Sequence, residues 1–318
     1  MKPYLIYSKN YDIESRGLNR LHPFDGNKFS KAWEIVLSAY QANTNFEWIM
    51  PNEPVSDEML LKIHTKEYLS SLQSSATVAK VIEVWLAKFI PYRVLQKRLI
   101  APIKLACNGT LLATEAALKN QSLAMNFGGG FHHAFSDHGE GFCFFADAAL
   151  SIFNSREKGV LGVGDKVLMI DLDAHRGNGF EALTKSDESV NIFDMYCFQV
   201  YPGLHDGDPD DYPYMIPLKA GIQDDRYLST LETELEKFLD HHGDAKLIFY
   251  NAGNDILDVD PLGGLNVSFD GVVKRDRYVI DQLSKRNIPT VIMTSGGYTI
   301  QSHKLIAEMA KSVILSSE

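Results

Sequence analysis

Cysteine is scarce in this sequence. Its 318 residues hold three, Cys107, Cys143 and Cys197, which are far apart, odd in number and without C-x-x-C spacing. That excludes a disulfide framework or a thiolate zinc cluster and suits a reducing compartment. Positive charge is also short, with 31 Lys and Arg against 41 Asp and Glu, a net charge of −10. Such a chain has no general attraction for nucleic acid or an anionic membrane, and any basic patch must be local. Long hydrophobic runs are missing. The N-terminus turns polar after Tyr7, too soon for a secretory signal, and the apolar stretch Val81 to Leu95 is interrupted by Glu83, Lys88, Pro91 and Arg93. Neither approaches the roughly 20 apolar residues of a membrane span, so the expectation is a soluble, cytoplasmic protein. G-x-S-x-G, Walker A, H-E-x-x-H and G-x-G-x-x-G are all absent. Asp206-Gly-Asp-Pro-Asp-Asp has the look of a calcium loop, but Asp211 stands where its glycine belongs and Pro217 where its bidentate Glu belongs.

With 45% hydrophobic and 23% charged residues, the composition is that of a globular protein. The length allows two domains or one large α/β unit, and no repeat or linker divides it. We therefore expect one domain spanning 1–318. Short apolar runs alternate with helical patterns, as in βαβ units. Strands are expected at Tyr4–Tyr7, Ser122–Phe127, Val167–Leu172, Val190–Phe193, Leu247–Asn251 and Pro289–Thr294. Several are too apolar to have a solvent face, which is how a parallel sheet covered on both sides reads. Helices are expected near 28–41, 105–119, 146–157, 225–241, 270–286 and 302–314, the fourth capped by Asp224.

Four of these strands run straight into polar or glycine-rich residues: Asn126-Phe-Gly-Gly-Gly-Phe-His-His, Asp171-Leu-Asp-Ala-His, Tyr250-Asn-Ala-Gly-Asn-Asp and Thr294-Ser-Gly-Gly-Tyr. In open parallel sheets, sites form beyond the carboxyl ends of strands, so these segments would meet at one edge. Side chains two apart on an extended segment share a face, so Asp171, Asp173 and His175 can point the same way. Buried carboxylates need a partner. A salt-bridged strand end explains D-x-D-x-H by itself. With Asp255 on a second strand end, a divalent metal held by Asp173, His175 and Asp255 explains more, since it leaves coordination places for water and substrate. This oxygen-and-imidazole set takes zinc and also iron(II). His132 and His133 diverge as neighbours, which suits a proton-handling pair better than two ligands of one ion. Each needs an acceptor for its second ring nitrogen, and Asp171 and Asn178 are the candidates. Tyr298, behind Gly296-Gly297, can donate to a developing oxyanion.

Together these segments resemble the zinc-dependent histone deacetylase family, and within it the class IV branch. The likeness runs in order through Leu21-His-Pro-Phe-Asp25, His64-Thr-Lys-Glu-Tyr-Leu69, Gly128 to His133, Gly141-Phe-Cys143, Asp171 to Gly179, Tyr201-Pro-Gly203, Tyr250 to Asp255, Leu262-Gly-Gly-Leu265 and Thr294 to Tyr298. The resemblance implies the arginase–deacetylase fold, one α/β domain with a central, mainly parallel sheet flanked by helices. It makes Asp173, His175 and Asp255 the zinc ligands, His133 the general base and acid, and His132 its electrostatic partner, oriented by Asp171. Tyr298 would polarise the scissile carbonyl, the Gly141 carbonyl would accept the substrate amide, and Phe142, Tyr201 and Leu262 would wall the acyl-lysine channel. A structural potassium ion near Asp171, Asp173, His175 and Asp194 is implied too. At the position of Asn178 many members carry Asp, whereas class IV members carry Asn.

The expected activity is hydrolysis of an acyl-lysine amide in a protein or peptide, tilted by class IV likeness toward long acyl chains, with Val200 to Ile222 at the rim. An acylated polyamine is the alternative substrate. A binder of acylated lysine that does not hydrolyse it is a third reading, disfavoured by the set His132, His133 and Tyr298. An arginase-like dinuclear manganese site lacks a second ligand set.

Overall fold

A computed structural model describes residues 2–13, 24–203 and 213–317. Residues 21–23 of the Leu21–Asp25 motif, the Asp206–Asp211 loop and much of the expected rim lie outside these. The strands are β1 (Tyr4–Ile6), β2 (Glu47–Ile49), β3 (Leu123–Asn126), β4 (Val167–Asp171), β5 (Val190–Cys197), β6 (Met215–Leu218), β7 (Leu247–Asn251) and β8 (Thr290–Met293). They form one sheet in the order β2-β1-β3-β8-β7-β4-β5-β6, every pair parallel.

The helices are α1 (Lys28–Ala39), α2 (Asp57–Leu60), α3 (Lys66–Ser71), α4 (Ser75–Val81), α5 (Tyr92–Leu95), α6 (Ala101–Asn120), α7 (Asp147–Glu157), α8 (Asn178–Thr184), α9 (Asp224–His241), α10 (Phe269–Arg286) and α11 (Ser302–Leu315). Alternation along β4 divides the core. Leu168 and Ile170 join the apolar residues of α1, α9, α10 and α11, whereas Val167 and Met169 join those of α6 and α7. Both faces are thus covered, and β3, β4, β7 and β8 are buried throughout. Each such Leu, Ile or Met contributes about 1.5–3 kcal/mol by leaving water. A third apolar cluster packs the segment from Val55 to Ile100 against α6 and Phe144, Phe145 and Leu150.

Two edge strands go beyond the expected set. β2 has three residues, none of them buried, and β6 contains Pro217, so neither carries the apolar run that announces a covered strand. Asp224 is not the cap of α9. It is the first helical residue, after Gln223, and its carboxylate accepts from the amide and hydroxyl of Ser268. Ser268 in turn caps α10 through Gly271 N–H, so a tertiary hydrogen bond displaces the local one.

The register then positions the chemistry. Asn126 pairs with Met293, Met293 with Asn251, Asn251 with Asp171, and Asp171 with Asp194. Those five residues form one row at the carboxyl edge of the sheet, and the four loops that follow begin side by side.

Candidate active site

Beyond β4 the chain bends, and Asp173 and His175 face Asp255 from the loop after β7. Their ligand atoms lie within 4.8 Å of one another, and all three residues are buried. His175 Nδ1 is 3.0 Å from Asp173 Oδ1 and 3.0 Å from Asp255 Oδ2. Ligands at zinc distances of about 2.0–2.1 Å stand roughly 3.3 Å apart around a tetrahedron, so the trio has the span of one coordination sphere. Electrostatics agree. Burial alone would raise Asp173, but His132 and His175 outweigh it and hold its carboxyl well below the usual range. Burial and then the Asp173 charge push Asp255 up to about 7. Two buried carboxylates facing one imidazole are short of positive charge, which a divalent ion supplies.

Asp171 stays apart from this trio, contrary to a shared face for all three residues. Its Oδ2 accepts from His132 Nδ1 at 2.8 Å, and its Oδ1 accepts from Asn251 Nδ2 at 2.9 Å and from Asp173 N–H at 3.1 Å. The strand ends at Asp171, so the two-residue alternation ends there as well. Behind it, Asp194 Oδ2 accepts from Gly177 N–H, while its buried Oδ1 has no hydrogen-bond partner. Burial, then Asp171 and Glu181, raise the Asp194 carboxyl well above its ordinary value. An orphaned carboxylate oxygen beside Asp171 fits a monovalent cation there.

The histidines stand with ring centroids 4.0 Å apart. Burial would push the His132 imidazole down, but Asp171 and Asp173 outweigh burial and raise it to about 9. For His133 the balance reverses, and burial, then His132 and His175, hold it well below the usual range. Its Nδ1 lies 2.7 Å from Asn178 Oδ1. An amide oxygen only accepts, so the His133 proton sits on Nδ1 and the basic lone pair on Nε2. The loop carrying the pair is anchored by Asp147, whose carboxylate accepts from Gly130 N–H, Phe131 N–H and the Thr110 hydroxyl.

Gly296 passes against the ligands themselves. Its N–H donates to Asp173 Oδ2 at 2.8 Å, and a Cβ there would stand 2.1 Å from Asp255 Oδ2. Tyr298 follows, half-buried, its amide donating to Asp260 Oδ2 and its phenol pushed well above the ordinary range by burial, then Asp255 and Asp173. Gly141 has φ +47°, and a Cβ on it would stand 2.6 Å from His133 Cδ2. The Gly141 carbonyl receives a long contact from Cys143 Sγ at 3.5 Å. The Tyr201 ring lies 5.1 Å from that of His133, nearly perpendicular, with its hydroxyl bonded to Glu140. Leu262 is half-buried at the site's edge, its amide donating to Asp260 Oδ1.

Five residues without a role in the sequence reading hold this arrangement. Asp260 ties the Tyr298 amide to that of Leu262. Asn251, within the Tyr250 to Asp255 motif, fixes Asp171. Lys28 is fully buried, its ammonium donating to the Ser295 and Gly297 carbonyls, and burial lowers it to about 8 against the pull of Asp255. Arg275 Nη1 donates to the Leu172 carbonyl at 3.0 Å and the Gly253 carbonyl at 2.7 Å, bracing both ligand-bearing segments from below. Asp276 accepts from Arg275 Nε and from the Tyr250 hydroxyl. For Lys28, Arg275 and Asp276 the sequence signal was a charge on the inward side of a helix, whereas Asn251 ends a strand and Asp260 lies in a loop, with no such signal.

An apolar cavity of about 260 Å³ opens from His133, Asp173 and Tyr298. Ile82, Val84, Ile90, Leu95, Leu99 and Ile103 are among its walls.

Residues 22–314 match the histone deacetylase domain. Over 98% of its length the chain is 37% identical to Histone deacetylase 2 of Arabidopsis thaliana, covering 79% of that protein. It is 33% identical over 59% of its length to Histone deacetylase 8 of Xenopus laevis, and 26% identical over its whole length to Histone deacetylase HDAC1 of Drosophila melanogaster. It spans 58% and 61% of those two proteins. With that match over a sheet edge bearing a buried Asp-His-Asp trio, the chain belongs to the zinc-dependent histone deacetylase family of amide-bond hydrolases.

Proposed function

We propose that this chain is a class IV lysine deacylase that removes acyl groups longer than acetyl. The observation that carries the acyl length is the cavity: its volume of about 260 Å³ is many times the roughly 10–15 Å³ that one water-sized group needs by the same measure, and so exceeds what an acetyl group fills. Asp173, His175 and Asp255 would hold the zinc, which when bound polarises the amide carbonyl and acidifies water. His133 Nε2 takes the proton of the attacking water and returns it to the departing amine. His132, hydrogen-bonded to Asp171, disfavours a second charge on its neighbour and so helps keep His133 neutral until that proton arrives. The Tyr298 phenol, kept protonated by its surroundings, donates to the oxyanion as the carbonyl carbon becomes tetrahedral. The Gly141 carbonyl accepts the substrate amide N–H, and Phe142, Tyr201 and Leu262 line the lysine stem. Asn178 is the residue that supports the class IV assignment. The unpartnered oxygen of Asp194 supports a structural potassium ion beside Asp171.

The test is a panel of acetyl-, octanoyl- and myristoyl-lysine peptides plus an acetylated polyamine, run on zinc-loaded protein with a chelator control. Each buried methylene is worth about 0.8 kcal/mol, or roughly fourfold, so kcat/KM should climb with chain length until the cavity fills. A flat response, or strong preference for the polyamine, overturns the assignment.

A further inference from the structure

The stretch Val81 to Leu95 is too interrupted to span a membrane, and it buries only part of its apolar side chains: Val81, Ile82, Val84, Ala87 and Leu95 are inside. After α4 the chain makes a tight turn, Trp85–Phe89, with Val84 and Ala87 inside and Trp85, Leu86 and Phe89 outside. Trp85 is 63% exposed and Phe89 69%, the most exposed aromatic side chains among the described residues. They meet edge to face at 5.5 Å, and the Lys88 ammonium sits 4.0 Å from the Trp85 ring and 5.0 Å from the Phe89 ring. Leu86, next to Trp85 in the chain, is exposed as well, and so is Val94.

Charge makes this patch unlike the rest of the molecule. Between 80 and 98 stand Lys80, Lys88, Arg93, Lys97 and Arg98 against Glu83 alone, a net of +4, while the remaining chain carries −14. Lys80, Lys88, Arg93 and Lys97 are all exposed. An anionic surface would therefore attract this segment more than the acidic remainder of the chain, which favours one orientation of approach. Exposed Trp, Phe and Leu set among Lys and Arg is the composition of a segment that lies in a lipid interface, the rings at headgroup depth and the cations on phosphates. Val94 is at once exposed and part of the wall of the apolar cavity, so the cavity reaches the surface beside the patch.

We infer that the face formed by Trp85, Leu86, Lys88, Phe89 and Arg93 docks peripherally on anionic membrane lipid. This docking stands independently of the acyl preference proposed above, since it is read by binding and not by turnover.

The experiment is co-sedimentation of the full chain with vesicles of phosphatidylcholine containing one part in three phosphatidylserine, and with phosphatidylcholine alone. Binding is expected to the anionic vesicles only, to be lost at high salt, and to shift tryptophan emission to the blue in the parent but not in Trp85→Phe. Each cation near the surface is worth about fivefold in affinity, so Lys88→Glu with Arg93→Glu should bind at least about 30-fold more weakly. Trp85→Ala with Phe89→Ala should lose at least about tenfold, with circular dichroism unchanged. No binding to anionic vesicles, or binding indifferent to both pairs of substitutions, overturns the inference. So does a concentration-dependent dimer that Trp85→Ala with Phe89→Ala dissolves, because the patch would then belong to a second copy.

Discussion

Replacing Asn178 by Asp exchanges an amide for a carboxylate at the acceptor that holds the proposed base. Asn178 Oδ1 lies 2.7 Å from His133 Nδ1, so a carboxylate oxygen in its place would be in direct contact with the ring. An ionised carboxylate at that range favours the imidazolium and raises its pKa by about 1–3 units, or roughly 1.4–4 kcal/mol. In the present chain the balance runs the other way, since burial and then His132 and His175 hold His133 low, opposed by the Asn178 amide. His133 acts as a base only when neutral, so kcat/KM falls as pH drops below its pKa. Raising that pKa moves the acid limb to higher pH by the same 1–3 units. On the acid limb Asn178→Asp should thus be slower by roughly one to three decades at equal pH. Bound zinc affects both proteins, so its contribution cancels in the comparison. The assay is kcat/KM of the zinc-loaded proteins on one acyl-lysine peptide over about pH 5 to 9. Superimposed acid limbs, or a shift toward lower pH, refute the reasoning.

Three other substitutions probe separate parts of the site. Tyr298→Phe should keep its metal, by mass-spectrometric metal analysis, and lose about two to three decades of kcat/KM, the usual cost of one oxyanion donor; unchanged kcat/KM removes its role. Gly296→Ala places a Cβ 2.1 Å from Asp255 Oδ2 and 2.6 Å from Asp173 Oδ2. Both carboxylates must shift, and chelator competition should report metal affinity lower by about 10–100-fold, whereas unaltered affinity would mean the site gives way freely. Arg275→Met leaves the buried Asp276 without its cation, with only the Tyr250 hydroxyl, and the Leu172 and Gly253 carbonyls without this donor. Urea unfolding should show a loss of about 3–5 kcal/mol, and stability equal to the parent would show the pair to be idle.

Much of the site was legible because its signals are local. An apolar run such as Val167 to Ile170 followed at once by Asp171-Leu-Asp-Ala-His announces a covered strand and the charged loop beyond it. The parallel sheet has those strand ends in register, which is why Asp173, His175 and Asp255 meet although 80 or more residues separate Asp255 from the other two. β2 and β6 escaped because an edge strand need not be apolar on either face.

Composition and pattern by themselves determined the fold class, the edge at which chemistry gathers and the residue types on it. Only the tertiary structure decided which partner each polar group took. Asp224 went to Ser268 instead of its own helix, Lys28 to the carbonyls around Gly296, and Arg275 beneath both ligand loops. Those choices depend on distances between segments far apart in the chain. A charge on the apolar side of a helix signals burial, but nothing local names the carbonyl or carboxylate it will meet.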